Sequence, residues 1–108
     1  MSLGVGHGID MDKEKTINIL RENREALARF HVRSLSVFGS VVRGEANPES
    51  DIDILVEFEP GAPVGLFEFA RLQRYLQEIL GRKVDLATPK ALHKALKKEI
   101  LEEAVYAF

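Results

Sequence analysis

Two aspartates separated by one isoleucine, Asp51-Ile52-Asp53, open an apolar run that ends at Phe58, and a Gly39-Ser40 pair lies just upstream. Side chains alternate along an extended strand, so Asp51 and Asp53 project to one face about 7 Å apart. Ile52, Ile54, Val56 and Phe58 then point the other way, into a core. Aspartate is disfavoured in strands, and a solvated face is more naturally built from Thr, Lys or Glu. Like charges side by side repel unless something positive sits between them. Mg²⁺ fits that position, being a hard cation that takes carboxylate and phosphate oxygens. A solvated strand face is the plainer alternative, and Glu57 on the same side shows that the face is polar.

The remaining pattern predicts an α/β (α+β) domain with elements in the order α-β-α-β-α-β-α. Asp12 is a plausible N-cap for a helix reaching Phe30, with Ile17, Leu20, Leu27 and Phe30 as a partial stripe that Asn23 and Arg24 interrupt. Residues 32–38 read as a strand ending at Gly39-Ser40, and a short helix then runs from Ser40 to a stop at Gly44. A turn-forming loop at 45–50 leads into the strand 51–58, which Pro60-Gly61-Ala62-Pro63 breaks. Leu66 to Leu80 is the next helix, with Gly81 as its stop, and residues 82–87 form a third strand. Thr88 and Pro89 start a last helix in which Leu92, Leu96, Ile100, Ala104 and Phe108 recur at helical spacing. Residues 1–11 read as a flexible leader and 12–108 as a single domain.

With 108 residues, 45% apolar and 30% charged, the chain has the make-up of a folded domain rather than a disordered one. The net charge of −2 supplies no bulk attraction to nucleic acid or anionic lipid, so no strong direct nucleic-acid binding is expected. The absence of cysteine removes disulfides, thiolate metal sites and cysteine nucleophiles, and fits a cytoplasmic protein. No apolar stretch is long enough for a membrane span, and the leader lacks the basic and apolar regions of a secretory signal.

The stretch Val37 to Phe58 resembles the signature of the DNA polymerase beta-like nucleotidyltransferase superfamily, in its minimal nucleotidyltransferase (MNT) branch. Its elements are a strand, Gly39-Ser40, two residues, Arg43-Gly44, a short spacer, and Ser50-Asp51-Ile52-Asp53 running into an apolar strand. The likeness extends to a third acidic strand, Lys83-Val84-Asp85-Leu86, and to a terminal helix. It implies the nucleotidyltransferase fold, a small mixed sheet of three to four strands packed by helices, in which Gly39, Ser40, Arg43 and Ser50 bind the nucleotide and Asp51, Asp53 and Asp85 form the catalytic, metal-holding carboxylates. Each has a simpler role beside that one. Gly39 allows a tight turn, Ser40 caps the short helix, Arg43 is a solvated loop charge, and Asp85 is an aspartate near a strand end.

Under the resemblance, Asp51 and Asp53 hold Mg²⁺ on the oxygens of ATP, with a second ion shared with Asp85. An acceptor hydroxyl attacks the α-phosphorus, pyrophosphate leaves, and Asp85 assists deprotonation. His7, His31 and His93 are read as structural or solvated. The branch implies a helical HEPN-family toxin as partner, whose tyrosine receives AMP, so that this chain acts as an antitoxin. Tyr106 and Phe108 are the candidates for docking that partner or a second copy, with ordinary core packing assigned to Leu92, Leu96 and Ile100. The alternatives are a non-catalytic antitoxin that masks its toxin and a subunit of a small-molecule, antibiotic-type nucleotidyltransferase.

Overall fold

A computed structural model describes residues 12–108, so the leader reading lies outside the described residues. The first helix, α1 (Lys13–Glu22), begins where the Asp12 side chain accepts the Lys15 N–H at 2.7 Å. The expected single helix to Phe30 is broken at Asn23, and α2 (Arg24–Ala28) follows it. Asn23 Nδ2 donates to the Ile19 carbonyl at 2.8 Å, while its Oδ1 accepts the Tyr75 hydroxyl at 3.0 Å. An asparagine that competes for backbone carbonyls ends a helix, and here α4 holds it in place.

Strand β1 (Val32–Phe38) leads through Gly39 into α3 (Ser40–Arg43), with Gly44 closing that turn in the left-handed region at φ 73°. Strand β2 (Ile52–Phe58) returns antiparallel to β1. Helix α4 (Leu66–Leu80) ends on Gly81 at φ 65°, and β3 (Val84–Ala87) runs parallel to β2. A 3₁₀ turn (Pro89–Ala91), helix α5 (Lys94–Glu103) and β4 (Val105–Tyr106) complete the chain. The sheet order is β3-β2-β1-β4, four strands with both parallel and antiparallel neighbours. That is the small mixed sheet packed by helices that the family resemblance implies, with one strand more than the three that the sequence pattern marks.

One face of the sheet carries the core. Leu35 and Val37 of β1 and Ile52, Ile54 and Val56 of β2 meet Ile17, Leu20, Leu27, Leu72, Leu76 and Leu80 from α1, α2 and α4. Phe58 is only half-buried at the strand end. No described helix is long and apolar enough to cross a membrane.

The C-terminal segment corrects the sequence reading. Helix α5 starts at Lys94, where His93 Nδ1 accepts the Ala95 N–H at 3.2 Å, not at Thr88. It stops at Glu103 because Ala104 adopts an extended conformation, ψ 138°. None of its residues is buried, and Leu96 is 51% exposed, so Leu96 is not core. The recurrence through Ala104 to Phe108 masks a fourth strand. Val105 and Tyr106 pair with Val37 and Ser36, the Ala107 N–H donates to the Leu35 carbonyl, and the Leu35 N–H donates to the Phe108 carbonyl. A β-branched residue next to an aromatic favours extension, and the open edge of β1 supplies its partners. Phe108 is no free docking residue. It packs on the core with the Arg24 guanidinium 5.3 Å from its ring centre, whereas Tyr106 is exposed.

Truncation should separate these two populations of leucine. Leu76→Ala, at a position with no exposure, should cost about 2–5 kcal/mol in chemical denaturation. Leu96→Ala should stay within about 0.5 kcal/mol of the parent chain. A large loss at Leu96 would restore it to the core.

Candidate active site

The β1–β2 register builds the site. Phe38, the last residue of β1, lies opposite Asp53, and the parallel neighbour of Asp53 on β3 is Asp85. Adjacent strands run about 4.8 Å apart, so Asp53 has Asp85 beside it on one flank and the Gly39 turn on the other. Gly39 has φ 75° and ψ −151°. A Cβ built there would overlap the Asp53 carboxylate, lying 2.9 Å from its Cγ. Glycine is required here both by backbone conformation and because the aspartate occupies the space of a side chain.

Asp53 is half-buried, while Asp51 and Asp85 are exposed. Burial pushes the Asp53 carboxyl up to about 6, the Asp85 and Asp51 charges add to that, and Arg43 works in the opposite direction. Among the described residues no three His, Asp or Glu side chains close on a single point, so the three aspartates do not form a finished cage. Their chemistry nonetheless fits Mg²⁺. Crowded carboxylate oxygens present hard ligands whose mutual repulsion a cation relieves, and Mg²⁺ normally fills part of its shell with water and phosphate.

The connector from α3 to β2 is tied down by its own polar groups. Asn47 Oδ1 accepts the Glu49 N–H at 2.8 Å, and Ser50 Oγ accepts the Asn47 N–H at 3.1 Å. Arg82 Nη2 donates to the Asn47 and Ser50 carbonyls at 2.7 and 2.5 Å. The Ser50 hydroxyl therefore shapes the loop that delivers Asp51. Arg82, just before β3, went unmarked in the sequence, where nothing distinguishes it from a surface arginine.

Arg43 is half-exposed and engaged on two sides. Its Nε donates to Glu45 Oε1 at 2.8 Å and its Nη1 to Glu103 Oε1 at 2.7 Å. The second oxygen of Glu103 accepts the Gly39 N–H at 3.0 Å. The Gly39 N–H is thus already committed, and Ser40 stands at the open start of α3. Glu103 is the second residue that sequence reasoning missed, since only the pairing of β4 with β1 brings it here. His31, at φ 66°, turns the chain into β1 and accepts the Glu59 N–H on its carbonyl, and His93 caps α5.

Comparison with known proteins places this arrangement. A family profile described as the nucleotidyltransferase domain matches residues 14–107. The protein adenylyltransferase MntA of Thermococcus cleftensis is 45% identical over 94 residues, 86% of this chain and 93% of that protein. A solved structure provisionally described as a minimal nucleotidyltransferase is 40% identical, with a TM-score of 0.67 over 91% of this chain and 98% of that one. The MNT antitoxin solved with the tri-AMPylated HEPN toxin of Shewanella oneidensis shares the fold at 17% identity. Its TM-score is 0.54, over 82% of this chain and 71% of that one.

Gly39→Ala should lower the melting temperature, and Gly39→Ala with Asp53→Ala should recover part of the loss. A second change that adds to the first would show that strain at φ 75°, not the carboxylate, sets the cost. Asp53→Asn should act in the opposite sense. The native state holds the Asp53 proton above its ordinary 3.8, so stability falls as pH rises from about 4 to about 6. The asparagine variant should therefore melt higher than the parent at pH 7.5 and lose that advantage at pH 4. Equal melting temperatures at pH 7.5 would mean that Asp53 is not under charge stress.

Proposed function

The chain belongs to the nucleotidyltransferase domain family and is a nucleotidyltransferase, and on that premise we propose that it transfers AMP from ATP to a tyrosine hydroxyl of a helical HEPN-family toxin. The observation that carries the reading is the in-register pair Asp53 and Asp85 beside the Gly39-Ser40 turn. The adenylyltransferase name of the relative at 45% identity supports AMP as the group transferred. The AMPylated HEPN toxin held by a protein of the same fold supports the partner class. We place this activity in residues 12–108 as one domain, and in the cytoplasm, where ATP is available.

In this reading Asp51 and Asp53 would hold Mg²⁺, and Asp85 would help to hold a second ion; bound metal would supply positive charge against the polyphosphate and the attacking oxygen. Ser40, at the head of α3, and Arg43, at its end, face the β- and γ-phosphates. Two of the five N–H groups of Arg43 are taken by Glu45 and Glu103, which leaves its Nη2 for an anion. Gly39 contributes by lacking a side chain, so that the turn and Asp53 approach each other. Asp85, exposed at the sheet edge, takes the proton of the acceptor hydroxyl. That oxygen then attacks the α-phosphorus, an ester O–P bond forms, the α–β anhydride breaks, and pyrophosphate leaves in line. Most of the catalysis is placement and charge neutralisation, so loss of one aspartate should be severe.

The protein encoded beside this chain, if it is a HEPN ribonuclease, provides the test. A sub-stoichiometric amount of this protein with ATP and Mg²⁺ should inactivate the ribonuclease lastingly and add AMP mass to it. Asp53→Asn should reduce transfer by at least about a hundredfold while remaining folded. Inhibition that needs one copy per toxin, ignores ATP and leaves the toxin mass unchanged would establish masking instead of catalysis.

A further inference from the structure

Glu103 ends α5, yet its carboxylate belongs to the turn after β1. Strand β4 runs antiparallel to β1 with Val105 opposite Val37. Carried two residues beyond the pairing, that register sets Glu103 opposite Gly39. One oxygen of Glu103 accepts the Gly39 N–H at 3.0 Å and the other accepts Arg43 Nη1 at 2.7 Å. Gly39 caps the start of α3 and Arg43 is its last residue, so one carboxylate bridges both ends of the turn. It does so above a cavity of about 290 Å³ lined by Phe38, Leu96 and Ile100.

The segment that carries Glu103 is fixed. The Ala107 N–H donates to the Leu35 carbonyl at 2.8 Å, and Arg21 Nε donates to the Ala107 carbonyl at 2.7 Å. Ala107 itself is 1% exposed. A carboxylate on such an anchor does not swing out of the way. It is a brace, set against Glu45 on the other side of the guanidinium. Arg43 stands on a long, half-exposed side chain, and Asp53 is a neighbouring carboxylate with no ion pair among the described residues. Charge-assisted bonds from both glutamates hold it in one geometry, whereas a freed arginine would fold onto Asp53.

We propose that Glu103 is a positioning residue for the triphosphate: anchored on the Gly39 N–H, it aims Arg43 outward instead of onto Asp53. This rests on the reading of the Gly39–Arg43 turn as the ATP phosphate site. Two glutamates share one guanidinium and leave the cluster net negative, so the brace acts by fixing geometry and not by adding positive charge. It also gives the last helix and β4 a functional reason to close on β1, beyond adding a short edge strand.

Calorimetric titration with ATP in Mg²⁺, with a thermal melt of each variant, decides it. Glu103→Ala should weaken ATP binding about tenfold. Glu103→Gln, which keeps one acceptor oxygen, should recover part of that loss, and it is the variant to use if the alanine variant does not fold. The double variant Glu103→Ala with Arg43→Ala should bind no more weakly than Arg43→Ala alone, because Glu103 acts through Arg43. Parent-like affinity in both Glu103 variants would overturn the proposal, as would losses that multiply in the double variant. Tighter binding would also overturn it, by showing that the carboxylate competes with phosphate. If the parent chain itself binds no ATP with Mg²⁺, the nucleotide reading fails and the brace falls with it.

Discussion

The crowding of Asp53 is the constraint on which the rest of the site depends. Its carboxylate lies against the bare Cα of Gly39 and in register with Asp85, and it is partly withdrawn from water. Each neighbour follows from a different part of the chain. The β1–β2 register brings Gly39, and the crossover through α4 to a parallel β3 brings Asp85. A slip of one residue in either pairing would turn Asp53 toward the core and expose the isoleucines beside it. The core face therefore enforces the site: Ile52, Ile54 and Val56 can be buried only if the aspartates face outward.

The two faces of the sheet are covered unequally, and that difference leaves the site open. Helices α1, α2 and α4 close the core face. On the other face Phe38 and Leu55 are buried, but α5 contributes no buried residue there. Helix α5 is held instead at its C-terminal end, through β4, through the Ala107 backbone and through Glu103. The polar attachment of Glu103 to Gly39 and Arg43 thus does structural duty that apolar packing performs elsewhere.

Local chemistry made most of the elements legible. Strand β1, helices α3 and α4 and their glycine stops stand where the pattern puts them, because turn glycines and alternating apolar residues act over a few positions. The same holds for the Asp51-Ile52-Asp53 alternation and for Gly39. The break at Asn23 and the strand at Val105–Tyr106 were not legible, since each depends on a distant partner, Tyr75 in one case and the edge of β1 in the other. Helical recurrence from Leu92 to Phe108 misled for the same reason: spacing records what a helix would present, not whether a sheet edge competes for the segment.

By itself the sequence determined that two aspartates share a face beside a glycine turn, because strand alternation is a property of the backbone. Its likeness to the nucleotidyltransferase signature implied, too, that a small mixed sheet would carry them. Only the tertiary structure decided that Asp85 is the neighbour of Asp53, that Gly39 yields its space to a carboxylate, and that Glu103 and Arg82 hold the turns on either side. Glu103 lies 64 residues from Gly39, and Arg82 lies 32 from Ser50. Contacts across such distances are set by strand register and helix packing, which no short motif encodes.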